Sequence, residues 1–172
     1  MGCNKVIYYL SKHKVKELKG VILVSPPPDF AGMEKVDPNY KNMLNEAENN
    51  IANGHPEKLL SSLVWGFLHL SSGAFCNFFK NENLSETLPI IENPQVFKQL
   101  SNINVPILAT MGSNDNIIIG FAKEYLQLLK SKATGCTNFS YKIINGADHR
   151  YMNKGIDLAN EIIDWAEKIK SK

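Results

Sequence analysis

The chain has 172 residues, 44% of them hydrophobic and 21% charged, with a formal net charge of +2. That length suits one domain burying roughly 70% of its unfolded surface and is short for two. Near-neutral charge without a basic patch interleaved with aromatics excludes nucleic acid as an implied partner, and no apolar run approaches the ~20 residues of a membrane helix. The three cysteines, Cys3, Cys76 and Cys136, are odd in number and far apart. They match no zinc spacing, and with no signal peptide they read as reduced thiols of a cytoplasmic protein.

In chain order, a helix comes first, over about 3–14, with Cys3, Val6, Ile7 and Leu10 at helical spacing on one face. Its basic end, Lys12-His13-Lys14-Val15-Lys16, reads as a solvated helix terminus, because lysine favours the negative end of the helix dipole. Gly20-Val21-Ile22-Leu23-Val24-Ser25 is a short apolar run rich in β-branched residues and stopped by Pro26-Pro27-Pro28. It suits a strand buried on both faces of a parallel sheet.

Residues 37–100 differ in character. The pattern predicts short helices at about 38–52, 56–70, 72–80 and 94–100, punctuated by Asn53-Gly54-His55-Pro56, Leu88-Pro89 and Asn93-Pro94. Trp65, Phe67, Leu68, Phe75, Phe78 and Phe79 give this segment an aromatic centre, either its own small core or the lining of an apolar pocket. His13, His55 and His69 read as ordinary surface or packed histidines.

A strand at 105–111 then ends in Gly112-Ser113-Asn114-Asp115. A helix over about 118–132 follows, with Ile118, Phe121, Ala122, Tyr125, Leu128 and Leu129 as its buried stripe. A strand at 138–144 leads into Asn145-Gly146-Ala147-Asp148-His149. The last helix, Gly155 to Ile169, turns Ala159, Ile162, Ile163, Ala166 and Ile169 inward. Strands alternating with helices imply a parallel sheet with right-handed crossovers, whose ligands meet the carboxyl ends of the strands. Ser25, Asp115 and His149 all fall at or just past those ends. A histidine in a rigid strand-to-helix loop is well placed as a proton carrier near neutral pH. An aspartate delivered by the preceding strand end completes two thirds of a Ser-His-Asp machine. The competing role for Asp115 is to cap the helix after Asn116-Ile117. Asp148 reads as local loop bonding.

Val105-Pro106-Ile107-Leu108 leading into Gly112-Ser113-Asn114-Asp115, then Gly146-Ala147-Asp148-His149 before a closing helix, resembles the C-terminal part of an α/β-hydrolase. The spacing of Asp115 and His149 is typical of that family's last two strands, and 37–100 lies where the family carries a helical lid or cap. The family's nucleophile elbow reads Gly-x-Ser-x-Gly, and Met1-Gly2-Cys3 looks like the last two residues of such an elbow followed by the first of its helix. The resemblance spans 1–172 but only the second half of the family's fold. It implies a single, truncated α/β domain, a partial α/β-hydrolase fold of about three parallel strands (20–25, 105–111, 138–144) flanked by helices, with 37–100 inserted as a lid.

The resemblance also implies roles. His149 is the base that activates a serine against an ester or related acyl substrate, and Asp115 is the acid that orients it. Asp29, after the earlier strand, is the fallback acid. The backbone N–H of Met1 is one oxyanion-hole donor. Family members with an aspartate nucleophile more often follow it with tryptophan, so Met1 points to serine. The chain itself contains no Gly-x-Ser-x-Gly. The serine is therefore expected just upstream of Met1, and the chain alone is expected to turn over little ester. The strand 20–25 is expected to be an open edge, met by a complementing N-terminal half or by self-association. No metal or organic cofactor is implied. A cysteine mechanism using Cys76 or Cys136 with His149 needs a contact in space. The competing class is a non-catalytic remnant or partner chain that keeps the fold without the chemistry.

Overall fold

A computed structural model describes residues 2–26, 37–79, 98–117 and 121–170. The chain divides into two compact units, Met1–Pro28 with Glu86–Lys172, and Asp29–Ser85. The elements are α1 (Gly2–Lys12), β1 (Val21–Val24), α2 (Tyr40–Ala52), α3 (Ser72–Phe79), α4 (Lys98–Ser101), β2 (Ile107–Gly112), α5 (Ala122–Lys132), β3 (Phe139–Ile144) and α6 (Gly155–Lys170). Among the described residues no helix is long and apolar enough to cross a membrane.

The first unit is an α/β structure. Its three strands form one parallel sheet in the order β1-β2-β3, with Val21 opposite Ile107 and Ile107 opposite Phe139. β2 is central, and all six of its residues are buried. Apart from Thr110 the run is apolar, because both of its faces are covered, as expected for a parallel sheet. Side chains alternate along each strand. Val21, Leu23, Ile107, Ala109, Met111 and Phe139 therefore share one face, where they join Ile7 of α1, Leu100 of α4 and Tyr125, Leu126 and Leu129 of α5 in the main core. The opposite face carries Val24 and Ile144, which pack with Ala147, Tyr151 and Leu158 of the α6 side. Gly20, just before β1, makes room for α6, since a Cβ there would lie 2.6 Å from the Trp165 ring.

Three expected helix faces shift in register. In α1, Val6 is exposed while Cys3, Ile7 and Leu10 point to the core. The helix after β2 begins at Ala122, because Phe121 is extended (φ −94°, ψ 138°). Phe121 is 74% exposed, and Leu126 joins the buried stripe instead. In α6 the stripe runs through Leu158, Ile162, Trp165 and Ile169, leaving Ala159 and Ile163 exposed. The large indole takes the centre of the contact and rotates the helix onto its own side, since it buries more apolar area than alanine or isoleucine.

In the second unit α2 packs on α3. Its core is Met43, Ala47, Leu60, Val64, Phe75 and Phe79. Phe75 meets Phe79 at 4.8 Å with the rings tilted by 53°, and Trp65 meets Phe79 edge-on at 5.8 Å, so these aromatics pack on one another. The expected helix at 56–70 does not form. The chain doubles back instead, with Val64 N–H donating to Leu68 O, Leu60 N–H to Leu70 O and Ser72 N–H to Lys58 O. Trp65 and Gly66 occupy left-handed backbone at the tip. The buried Asp37 carboxylate holds the turn, accepting from Asn39 N–H at 3.0 Å and Trp65 N–H at 3.1 Å. Leu60 and Val64 have the spacing of a helix face, and the buried carboxylate overrides it by satisfying a backbone donor that a helix would use. The expected helix at 94–100 is described only as α4.

Candidate functional site

The site grows from the close approach of two loops at the carboxyl ends of β2 and β3. Gly112, the last residue of β2, lies directly against the Ala147 carbonyl, where a Cβ would overlap the oxygen. Glycine alone allows that contact. The loops are then laced together. Ser113 N–H donates to Ile144 O at 3.0 Å, Asn114 N–H to Ala147 O at 2.9 Å, and Gly146 N–H to Ser113 Oγ at 2.8 Å. Gly146 takes a φ of +73°, which turns the chain after β3 back over the end of β2.

This lacing brings Asp115 and His149 face to face. His149 Nδ1 lies 3.0 Å from both carboxylate oxygens of Asp115. The Asp115 side chain is 0% exposed and the His149 side chain 26%. A carboxylate can only accept, so Nδ1 carries the proton and donates it. Nε2 is left as the lone-pair nitrogen, with no hydrogen-bond partner among the described residues. Asp115 Oδ1 also accepts from Ile117 N–H at 3.0 Å, a local turn and not the expected helix cap, since α5 begins at Ala122 with no side-chain cap bond. That second bond fixes the carboxylate from behind. Chemically, the pair can hold an imidazole in one tautomer and stabilise its protonated form.

The His149 loop has further supports. Asp148 Oδ1 accepts from Arg150 N–H at 3.1 Å and from Met152 N–H at 2.9 Å, which is local loop bonding. Tyr151 is buried, and its hydroxyl lies 3.0 Å from Thr110 Oγ1 and accepts from Ser25 Oγ at 3.3 Å. Burial pushes the Tyr151 phenol above its ordinary range, and the nearby Asp115 charge acts in the same direction. Thus Ser25, at the end of β1, meets Tyr151 and Thr110. Tyr151 and Thr110 carried no signal in the sequence, because neither a left-handed backbone nor a cross-strand hydroxyl contact leaves a spacing pattern.

Of the other candidates, Met1 and Asp29 lie outside the described residues. Cys136 precedes β3 and so sits at the opposite end of that strand from the loop of His149, roughly 20 Å away at the usual rise per residue. Its Sγ donates to Val105 O, and burial raises its thiol, as it does for Cys3. A Cys136–His149 mechanism is therefore ruled out by distance. Cys76 belongs to the second unit. His13, His55 and His69 are exposed. Among the described residues no group of three or more histidine, cysteine, aspartate or glutamate side chains could hold a metal ion.

No model of a known protein family matches the chain, and no curated protein matches it. Among solved structures it is similar to a hydrolase from Oleispira antarctica, at 15% identity over 90% of this chain and 57% of that one, with a TM-score of 0.44. The chain thus spans a little over half the length of that hydrolase.

Proposed function

We propose that His149 and Asp115 are the base and acid of a serine hydrolase of the α/β-hydrolase type, acting on an ester or related acyl substrate. One observation carries this reading: His149 Nδ1 is held 3.0 Å from both oxygens of a fully buried Asp115 carboxylate, while Nε2 is free of protein partners among the described residues. The serine is the residue that would precede Met1 in the elbow that Met1-Gly2-Cys3 resembles. Nε2 takes the serine hydroxyl proton as Oγ bonds to the acyl carbon, and Asp115 stabilises the resulting imidazolium. The same proton then passes to the leaving alkoxide as the old ester C–O bond breaks, and water repeats the sequence to free the acid. The backbone N–H of Met1 would help hold the oxyanion in such a form. Without the serine and a complete oxyanion hole, only a small residual rate over water is expected.

The test is to purify the protein from its native source, react it with a fluorophosphonate probe, and sequence the labelled peptide. A label on a serine immediately before Met1, lost on His149→Ala, supports the reading. A species with the mass of the 172-residue chain and no label overturns it in favour of the non-catalytic remnant or partner chain.

A further inference from the structure

We infer that Tyr151 is a positioning residue for His149, its hydroxyl tying the loop that carries the imidazole to the two neighbouring strands. This deepens the proposed function and rests on it.

Tyr151 stands two residues after His149 and adopts φ +56°. A bulky aromatic residue in left-handed backbone is strained, and such a conformation persists only where its surroundings over-determine it. Here the surroundings are specific. The hydroxyl lies 3.0 Å from Thr110 Oγ1 on the central strand, and Ser25 Oγ at the end of β1 donates to it at 3.3 Å. Ser25 is itself in left-handed backbone, at φ +42°, and its N–H is bonded to Thr110 O. Both Ser25 and Thr110 are buried. One phenol can donate to Thr110 while accepting from Ser25, so the three hydroxyls form a chain across β1, β2 and the His149 loop.

Packing alone does not need this hydroxyl. The ring sits with Val24, Ile144, Ala147 and Leu158, and phenylalanine would fill the same apolar space. Phenylalanine would, however, leave the buried Ser25 and Thr110 hydroxyls without a side-chain partner among the described residues and release the loop from the strands. Asp148 braces the loop from one side by bonding Arg150 N–H and Met152 N–H. Tyr151 braces it from the sheet side, between His149 and the start of α6. The imidazole that must meet Asp115 is thus fixed at both flanks.

The experiment compares the tautomer of His149 in the full chain with selectively ¹⁵N-labelled histidine. Spectra are taken at a pH of about 9, above the ordinary histidine range. The His149 signals are assigned by their loss in His149→Ala. Wild type is expected to show the Nδ1–H form. Tyr151→Phe should reduce the ratio of that form to the Nε2–H form by roughly two- to tenfold, the worth of one ordinary hydrogen bond. Amide exchange of Leu108 and Ala109 on β2 should stay slow, which a general loss of structure would not allow. Thr110→Val, close in shape, should move the ratio in the same direction, and it decides the matter if Tyr151→Phe fails to fold. A wild-type Nδ1–H ratio that stays unchanged in both variants overturns the positioning role and leaves the proposed function standing. No Nδ1–H excess in wild type overturns both.

Discussion

Gly112 and Ala147 meet backbone to backbone, with no room for a side chain between the end of β2 and the loop after β3. That contact sets the separation of the loops bearing Asp115 and His149. The pair is therefore only as well aligned as this glycine allows.

Gly112→Ala should force the two loops apart or shift β2. A destabilisation of about 1–3 kcal/mol is expected, in the range of overpacked cores. Urea unfolding followed by circular dichroism measures it, and a second consequence is loss of the His149 Nδ1–H signal. An unchanged midpoint would mean that the loops slide past the added methyl at no cost.

His149→Ala should leave the buried Asp115 carboxylate with Ile117 N–H as its one remaining bond among the described residues. A cost of about 1–3 kcal/mol at neutral pH is expected for the lost partner of a buried group. Asp115→Asn keeps an acceptor for Ile117 and should cost less stability. Its effect is on chemistry, because an amide can donate to Nδ1 and favour the wrong tautomer. In a form of the protein carrying the serine, Asp115→Asn should lower kcat by on the order of 10⁴. Denaturation curves and ester kinetics on the same two variants separate the effects.

Stability should fall at alkaline pH. Burial raises the Tyr151 phenol above its ordinary value of 10.0 and the Cys3 and Cys136 thiols above 9.0. Below those values both folded and unfolded states hold the protons, and these groups add no pH dependence. As pH rises past them the unfolded chain ionises first, so the folded state binds more protons and stability declines. The decline begins with the thiols and steepens where tyrosine titrates. Tyr151→Phe should remove the steeper part while keeping the thiol part. Urea midpoints taken across the alkaline range would show this, and equal slopes in the two proteins would place the effect elsewhere.

Among the described residues β1 has a strand partner on one side only, β2, and its residues Val21-Ile22-Leu23-Val24 carry no charge or proline to discourage pairing. The chain studied alone is expected to self-associate through this edge. Ile22 is partly exposed, and Ile22→Lys should shift the population toward monomer. Sedimentation velocity at several concentrations tests this. A wild-type chain that stays monomeric throughout would rule the edge out.

The three strands, their parallel direction and the loops bearing Asp115 and His149 were legible in the chain itself. Runs such as Val105 to Met111 are apolar enough to admit only burial on both faces, and glycine and asparagine mark where they stop. The reach of Asp115 toward His149 follows from two neighbouring strand ends. The expected helix over 56–70 does not form because the distant Asp37 carboxylate takes Trp65 N–H where the chain doubles back. The face of α6 was misread because Trp165, not the count of isoleucines, decides which side packs on the sheet. The hydroxyl chain of Ser25, Tyr151 and Thr110 was illegible for the same reason, since it joins residues up to 126 positions apart. Periodicity is a local property and shows which segments are buried and in what form. Which polar groups meet inside is decided by long-range packing, where each buried donor must find an acceptor wherever in the chain it lies.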